Sequence, residues 1–160
     1  MKAMVVYDSA YGNTEQVAQA IGAALGSPGE VEVLRVSEVS PEQLAGMTLL
    51  IVGSPTQRFT ATGATTAFLK SIPADGVRGV RVAAFDTRFP EGEIDKVRIL
   101  AFFVRIFGYA AKPIADRLVK KGGKLAVPPE GFYVGNTKGP LLDGELERAA
   151  EWAKQILTAP

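Results

Sequence analysis

The stretch Ser9-Ala10-Tyr11-Gly12-Asn13-Thr14 follows an apolar run over residues 3–7 and precedes a helical pattern that starts near Glu15. A strand, a tight hydroxyl-rich loop and a helix start together make a place to hold a phosphate. The first N–H groups of a helix have no partner inside it, and the helix dipole adds partial positive charge at that end. Ser9, Asn13 and Thr14 can add side-chain donors, and Tyr11 can do so if its hydroxyl turns inward. Gly12 permits a positive φ or a close approach to a ligand. The loop contains no Lys or Arg, and the lysine-bearing P-loop pattern is absent. A phosphate monoester held by hydrogen bonds suits it better than a Mg-nucleotide. The competing reading is a plain strand-to-helix turn capped by Asn13 or Thr14.

Outward from this loop, buried strands alternate with helices. Residues 2–8, 48–53 and 81–86 read as strands built on the continuous apolar runs 4–7, 49–52 and 82–85, the pattern of strands covered on both faces. Residues 30–36 alternate and read as a strand nearer the edge, and residues 124–127 read as the fifth strand. Helical spacing marks residues 14–25, 64–72, 110–121 and 142–157, the last with Leu146, Ala149, Ala150, Ala153, Ile156 and Leu157 inward and Trp152 at the flank. Ser40-Pro41-Glu42 starts a short helix by cap and N1 logic. Residues 132–134 are a possible strand extension within a long loop. Alternation of this kind implies a doubly wound parallel α/β sheet, with the ligand beyond the carboxyl ends of the strands. The loops after strands one, three and four emerge there. G-x-G-x-x-G is missing, so a mononucleotide is expected rather than a dinucleotide.

At 160 residues a single domain spanning 1–160 is expected, and nearly half of its residues are hydrophobic, enough for a core. There is no Cys and no His, which excludes disulfides, thiolate nucleophiles, Ser-His triads and the commonest metal ligand. The chain enters its first strand without a signal peptide, and no apolar run reaches the roughly 20 residues needed to span a bilayer. A cytoplasmic protein with no nucleic-acid partner is the expectation, and a membrane surface is not the expected partner. Net charge is +1 but uneven: residues 70–124 hold 12 basic and 6 acidic side chains, the remainder 6 and 11. Residues 94–109 are apolar around nearly the whole helical circumference, with Arg98 and Arg105 on one stripe. That suggests a hydrophobic helical insert with a second packing partner, for instance a second copy in a homodimer.

The loop together with Glu15, and Gly53-Ser54-Pro55-Thr56 after the third strand, resemble the two flavin loops of the flavodoxin family, whose first loop has the form Ser/Thr-x-Thr/Tyr-Gly-x-Thr. The likeness covers nearly the whole chain. It implies a flavodoxin-like five-stranded parallel sheet of order 2-1-3-4-5 with helices on both faces, and FMN as cofactor. It implies that Ser9, Ala10, Tyr11, Gly12, Asn13 and Thr14 form the phosphate loop. Ser54, Pro55 and Thr56 would meet the ribityl chain and ring edge, and Thr87, Arg88 and Phe89 would border the isoalloxazine. Gln57 stands where the family often has an aromatic, with Phe59 and Phe89 as the nearest substitutes; stacking of this kind contributes about 0.5–1.5 kcal/mol beyond burial. Arg88 beside the flavin N1/O2 edge would stabilise the reduced anionic ring. The resulting expectation is an FMN-binding redox protein, an electron-transport flavoprotein or a small oxidoreductase. Its partner would be a redox protein or a small-molecule electron acceptor. The alternative is a flavodoxin-like interaction domain with a vestigial flavin site. A hydrolase is disfavoured, since Asp8 is the only carboxylate by the first loop and no His can serve as general acid or base.

Overall fold

A computed structural model describes residues 1–57, 60–89 and 109–160. The insert expected at 94–109 therefore lies outside the described residues, save Tyr109. Strands β1 (Ala3–Tyr7), β2 (Val31–Arg35), β3 (Leu49–Pro55), β4 (Arg81–Arg88) and β5 (Lys124–Leu125) form one parallel sheet in the order β2-β1-β3-β4-β5. Helices α1 (Asn13–Leu25), α2 (Gly63–Ser71), α3 (Ala111–Lys120) and α4 (Glu145–Thr158) cover it. Among the described residues, no helix is long and apolar enough to cross a membrane.

Alternation along the central strands sorts two cores. Met4, Val6, Leu50, Val52, Val82 and Ala84 meet Phe68, Leu69, Ile114 and Leu118 of α2 and α3. Val5, Tyr7, Ile51, Ala83 and Phe85 meet Val17, Ile21, Ala149, Ala153 and Ile156 of α1 and α4. Covering both faces explains why β1 and β3 read as unbroken apolar runs. Trp152 is buried in the second core, edge-on to Phe85 at 6.1 Å and to Phe132 at 6.0 Å. Leu146 and Leu157 are each 38% exposed rather than inward. The inward stripe instead runs through Ala149, Trp152, Ala153 and Ile156, spaced three and four apart.

Other expectations shift at their edges. The fifth strand is split. Lys124 and Leu125 pair with Arg81 and Val82, and a separate β6 (Glu130–Tyr133) pairs in parallel with Phe85–Arg88. Pro128-Pro129 lies between them, two residues with no N–H to donate to the ladder. The segment at Ser40-Pro41 is a single 3₁₀ turn, Pro41–Leu44, not an α-helix. Strand β4 extends through Thr87 and Arg88, so both belong to the sheet and not to a loop.

Gly53 owes its place to Phe85. An added Cβ would stand 2.0 Å from the Phe85 ring, which lies beneath the end of β3. Nearby, the wholly buried Asp86 carboxylate receives Arg88 side-on, Nε to Oδ1 at 2.6 Å and Nη2 to Oδ2 at 2.7 Å. Oδ2 also accepts the Ala111 amide at 2.9 Å, tying the head of α3 to β4. The guanidinium lies 3.7 Å from the centre of the Tyr109 ring, and Gly131 on β6 leaves it room: a Cβ there would meet the Arg88 Nε at 2.1 Å. Burial pushes the Asp86 carboxyl up from its ordinary value, and the guanidinium opposes that push.

Two stability measurements follow from this packing. Gly53→Ala should lower the unfolding free energy in urea by about 1–3 kcal/mol, as overpacking does; an unchanged midpoint would mean that Phe85 can move aside. Arg88→Ala should cost about 3–5 kcal/mol by leaving a buried charge unpaired. With the carboxyl raised further, the folded state of that variant retains a proton that the unfolded chain releases near 3.8, so its stability falls as pH rises above that value. A small loss that is the same at acid and neutral pH would contradict this.

Candidate functional site

The ends of β1, β3 and β4 lie side by side, with Tyr7 opposite Gly53, Gly53 opposite Phe85, and Pro55 opposite Thr87. The first two of the loops expected to converge meet there, against the end of β4; of the third, expected over 87–93, only residues 87–89 are described. Thr87 joins them. Its hydroxyl is 2.9 Å from that of Thr14 in the first loop, and its carbonyl accepts the Thr56 amide of the second at 3.0 Å. Both threonine side chains are buried.

The first loop is shaped from within. Gly12 takes φ 91°, a left-handed value open to glycine, and itself forms the N-cap of α1, so neither Asn13 nor Thr14 does. The helix begins at Asn13, two residues before Glu15. The Ser9 amide donates to Asp8 Oδ1 at 2.9 Å, and the Gly12 amide donates to the Ser9 hydroxyl at 3.0 Å. Among the described residues, no protein acceptor faces the amides of Ala10, Tyr11, Asn13, Thr14 and Glu15. Unpaired donors clustered at a helix start, on a loop with no cation of its own, fit a phosphate monoester. The Asn13 side chain turns to the Lys138 carbonyl at 3.2 Å, and Tyr11 is exposed.

The second loop is held by its hydroxyls. Ser54 is fully buried; its Oγ donates to the Pro55 carbonyl at 2.9 Å and accepts the Thr62 amide at 3.0 Å. Thr56 Oγ1 accepts the Ala110 amide at 3.2 Å. Gln57 is exposed and exchanges two backbone hydrogen bonds with Thr60. Phe59 lies outside the described residues. At the end of β4, Phe89 is 37% exposed, an aromatic available at the site's rim. Arg88 is neither solvated nor an unpaired cation, because Asp86 holds it.

Three contributors, Thr62, Arg35 and Lys138, escaped the sequence reading, and Asp8, expected by the first loop, has a role beyond it. Asp8 Oδ2 accepts the Thr62 hydroxyl at 2.6 Å, so one carboxylate links the first and second loops. Thr62 in turn caps α2, accepting the Thr65 amide at 3.2 Å. A threonine just ahead of a helical pattern was a readable cap signal. Arg35, from the end of β2, donates to the Ser9 carbonyl at 3.0 Å. Lys138 places its Nζ 5.8 Å from the centre of the Tyr11 ring. The loop therefore lacks a cation of its own but has two at its border, brought there by tertiary contacts that no local pattern announces. Tyr7 closes the arrangement, donating to Glu15 Oε1 at 2.8 Å; burial, then this carboxylate, raises its phenol above the ordinary value. Among the described residues, no cluster of carboxylates could hold a metal ion.

The flavodoxin family model matches residues 5–152. A flavodoxin from the domain Archaea is 25% identical, with TM-score 0.72, covering 98% of this chain and 96% of its own. Flavodoxin 1 from Bacillus cereus is 16% identical, with TM-score 0.76, covering 98% and 97%. The rubredoxin oxygen:oxidoreductase of Desulfovibrio gigas is 22% identical with TM-score 0.70, and 97% of this chain corresponds to 35% of that one. A comparison with curated protein sequences finds no match. Match, sheet order and amide cradle agree: the chain belongs to the flavodoxin family of FMN-binding electron-transfer proteins.

Proposed function

We propose that the FMN phosphate rests on the amides of Ala10, Tyr11, Asn13, Thr14 and Glu15, with the Ser9 and Thr14 hydroxyls beside it. The ribityl chain would run past Pro55 and Thr56, and the ring would lie between the second loop and the end of β4, against Phe89. One observation supports this reading: among the described residues, donors with no protein acceptor are grouped where the first two loops meet the end of β4. Bound FMN supplies reversible uptake of electrons at its ring. The chain's own residues bind and orient the cofactor and exclude water from its phosphate.

An electron carrier serving redox partner proteins is the reading favoured by the family. Gln57, polar and exposed, leaves the second loop without a stacking side chain at that position. An open ring face is the feature that favours a small-molecule reductase as the second reading. Cytoplasmic location and pairing of two copies through residues 94–109 rest on sequence pattern alone.

The purified protein should be yellow, absorbing between roughly 350 and 500 nm and bleaching with dithionite. Asn13→Ala with Thr14→Ala should weaken FMN binding on the order of tenfold, about 1.4 kcal/mol. A colourless protein that takes up no added FMN would favour the interaction-domain alternative, and unchanged affinity in the double variant would remove the first loop from the site.

A further inference from the structure

Two carboxylates flank the amide cradle. Asp8 immediately precedes Ser9, and Glu15 sits in the first turn of α1. A doubly negative ester in that cradle would feel both, and like charges at close range oppose binding. Arg35 stands between them. Its Nη1 lies 3.6 Å from Asp8 Oδ1, and its Nη2 lies 3.8 Å from Glu15 Oε2. Nη1 also donates to the Ser9 carbonyl, and the guanidinium covers the Tyr7 ring, 5.3 Å from its centre. One planar group thus touches the end of β1, the loop and the first turn of the helix, a set of directions that a lysine's compact charge does not match.

The contact to Ser9 has a geometric consequence. The Ser9–Ala10 peptide is trans, so its N–H points opposite to its C=O. Pinning the Ser9 carbonyl toward Arg35 turns the Ala10 amide the other way, and that amide is one of those without a protein acceptor among the described residues.

We propose that Arg35 is a positioning and charge-balancing residue of the phosphate site: it offsets Asp8 and Glu15 and fixes the peptide whose amide faces the ester. This rests on the reading that the loop holds the FMN phosphate. Arg35 acts on the phosphate end of the cofactor alone, so it separates FMN from riboflavin, which has the same ring and ribityl chain but no ester.

The test titrates apoprotein with FMN and with riboflavin, following flavin fluorescence. Tight FMN binding by the unaltered protein checks the functional reading; failure there overturns both that reading and this proposal. Given binding, Arg35→Gln should weaken FMN on the order of tenfold and change riboflavin by less than about twofold. Equal weakening of both flavins would assign Arg35 a merely structural role and overturn the proposal. Should Arg35→Gln fail to fold, Glu15→Gln decides. It keeps an acceptor for the Tyr7 hydroxyl and removes only the charge, so FMN should bind about two- to fivefold more tightly, with riboflavin unaffected. Unchanged FMN affinity in Glu15→Gln would refute the charge-balancing role. Adding Glu15→Gln to Arg35→Gln should recover part of the lost FMN affinity, and no recovery would count against it.

Discussion

Among the described residues, the amides at the head of α1 have no acceptor to donate to. A polar group left without a partner costs free energy once water is excluded, so the loop is stable only where solvent or an anion can reach it. Most other features of the site serve to keep those amides uncovered. Gly12 turns the chain at φ 91° so that α1 starts without a side-chain cap. Asp8 takes the Ser9 amide and the Thr62 hydroxyl, which fixes the loop's first residue against the second loop. The Thr14–Thr87 hydroxyl pair fixes its last residue against β4. The cradle is held at both ends and left open between them.

A second constraint lies one layer below. β3 and β4 must end close together for the second loop and Thr87 to meet the first loop. Gly53 makes this possible by giving its space to Phe85, and Gly131 does the same for Arg88. The Asp86–Arg88 pair then ties α3 to the sheet. Removing either partner of such a pair is costly even though the intact pair adds little net stability, because its desolvation is offset mainly by its own attraction. Arg88 therefore serves the scaffold, with its charge compensated by a buried carboxylate.

The fold was legible because its central strands are buried on both faces. β1 and β3 carry no polar alternation to confuse them with loops, and the loop after β1 has a composition tied to a mechanism. What failed to show had long-range causes. The split of the last strand follows from Pro128-Pro129, yet the return of Glu130–Tyr133 to β4 is a tertiary choice. Arg88 looks like a loop residue because the strand that pairs with it is β6, more than forty residues later, and Thr87 is held in β4 by Pro55 of β3 as well as by Phe132 of β6. Arg35 and Lys138 reach the first loop from 26 and 125 residues away in sequence, counted to their partners Ser9 and Asn13. No window of the chain contains such pairs. Helical spacing finds Ala149, Ala153 and Ile156 on the inward stripe of α4, but Leu146 and Leu157 stand at its exposed edge and Trp152 takes the buried place.

The site's charge is thus balanced rather than strongly positive, with acidic and basic side chains meeting at the rim and neutral donors at the centre. Hydrogen bonds to the charged form of a group lower its pKa, so an ester seated on those amides should stay doubly ionised well below its usual second pKa of about 6. The most direct measurement is the phosphorus-31 resonance of FMN bound to the protein, followed from about pH 5 to about pH 8. An ester held by those amides gives a single resonance that does not move across that range. A resonance that titrates near pH 6, as a free monoester does, would show that the phosphate lies in solvent and that the amides at the head of α1 do not hold it.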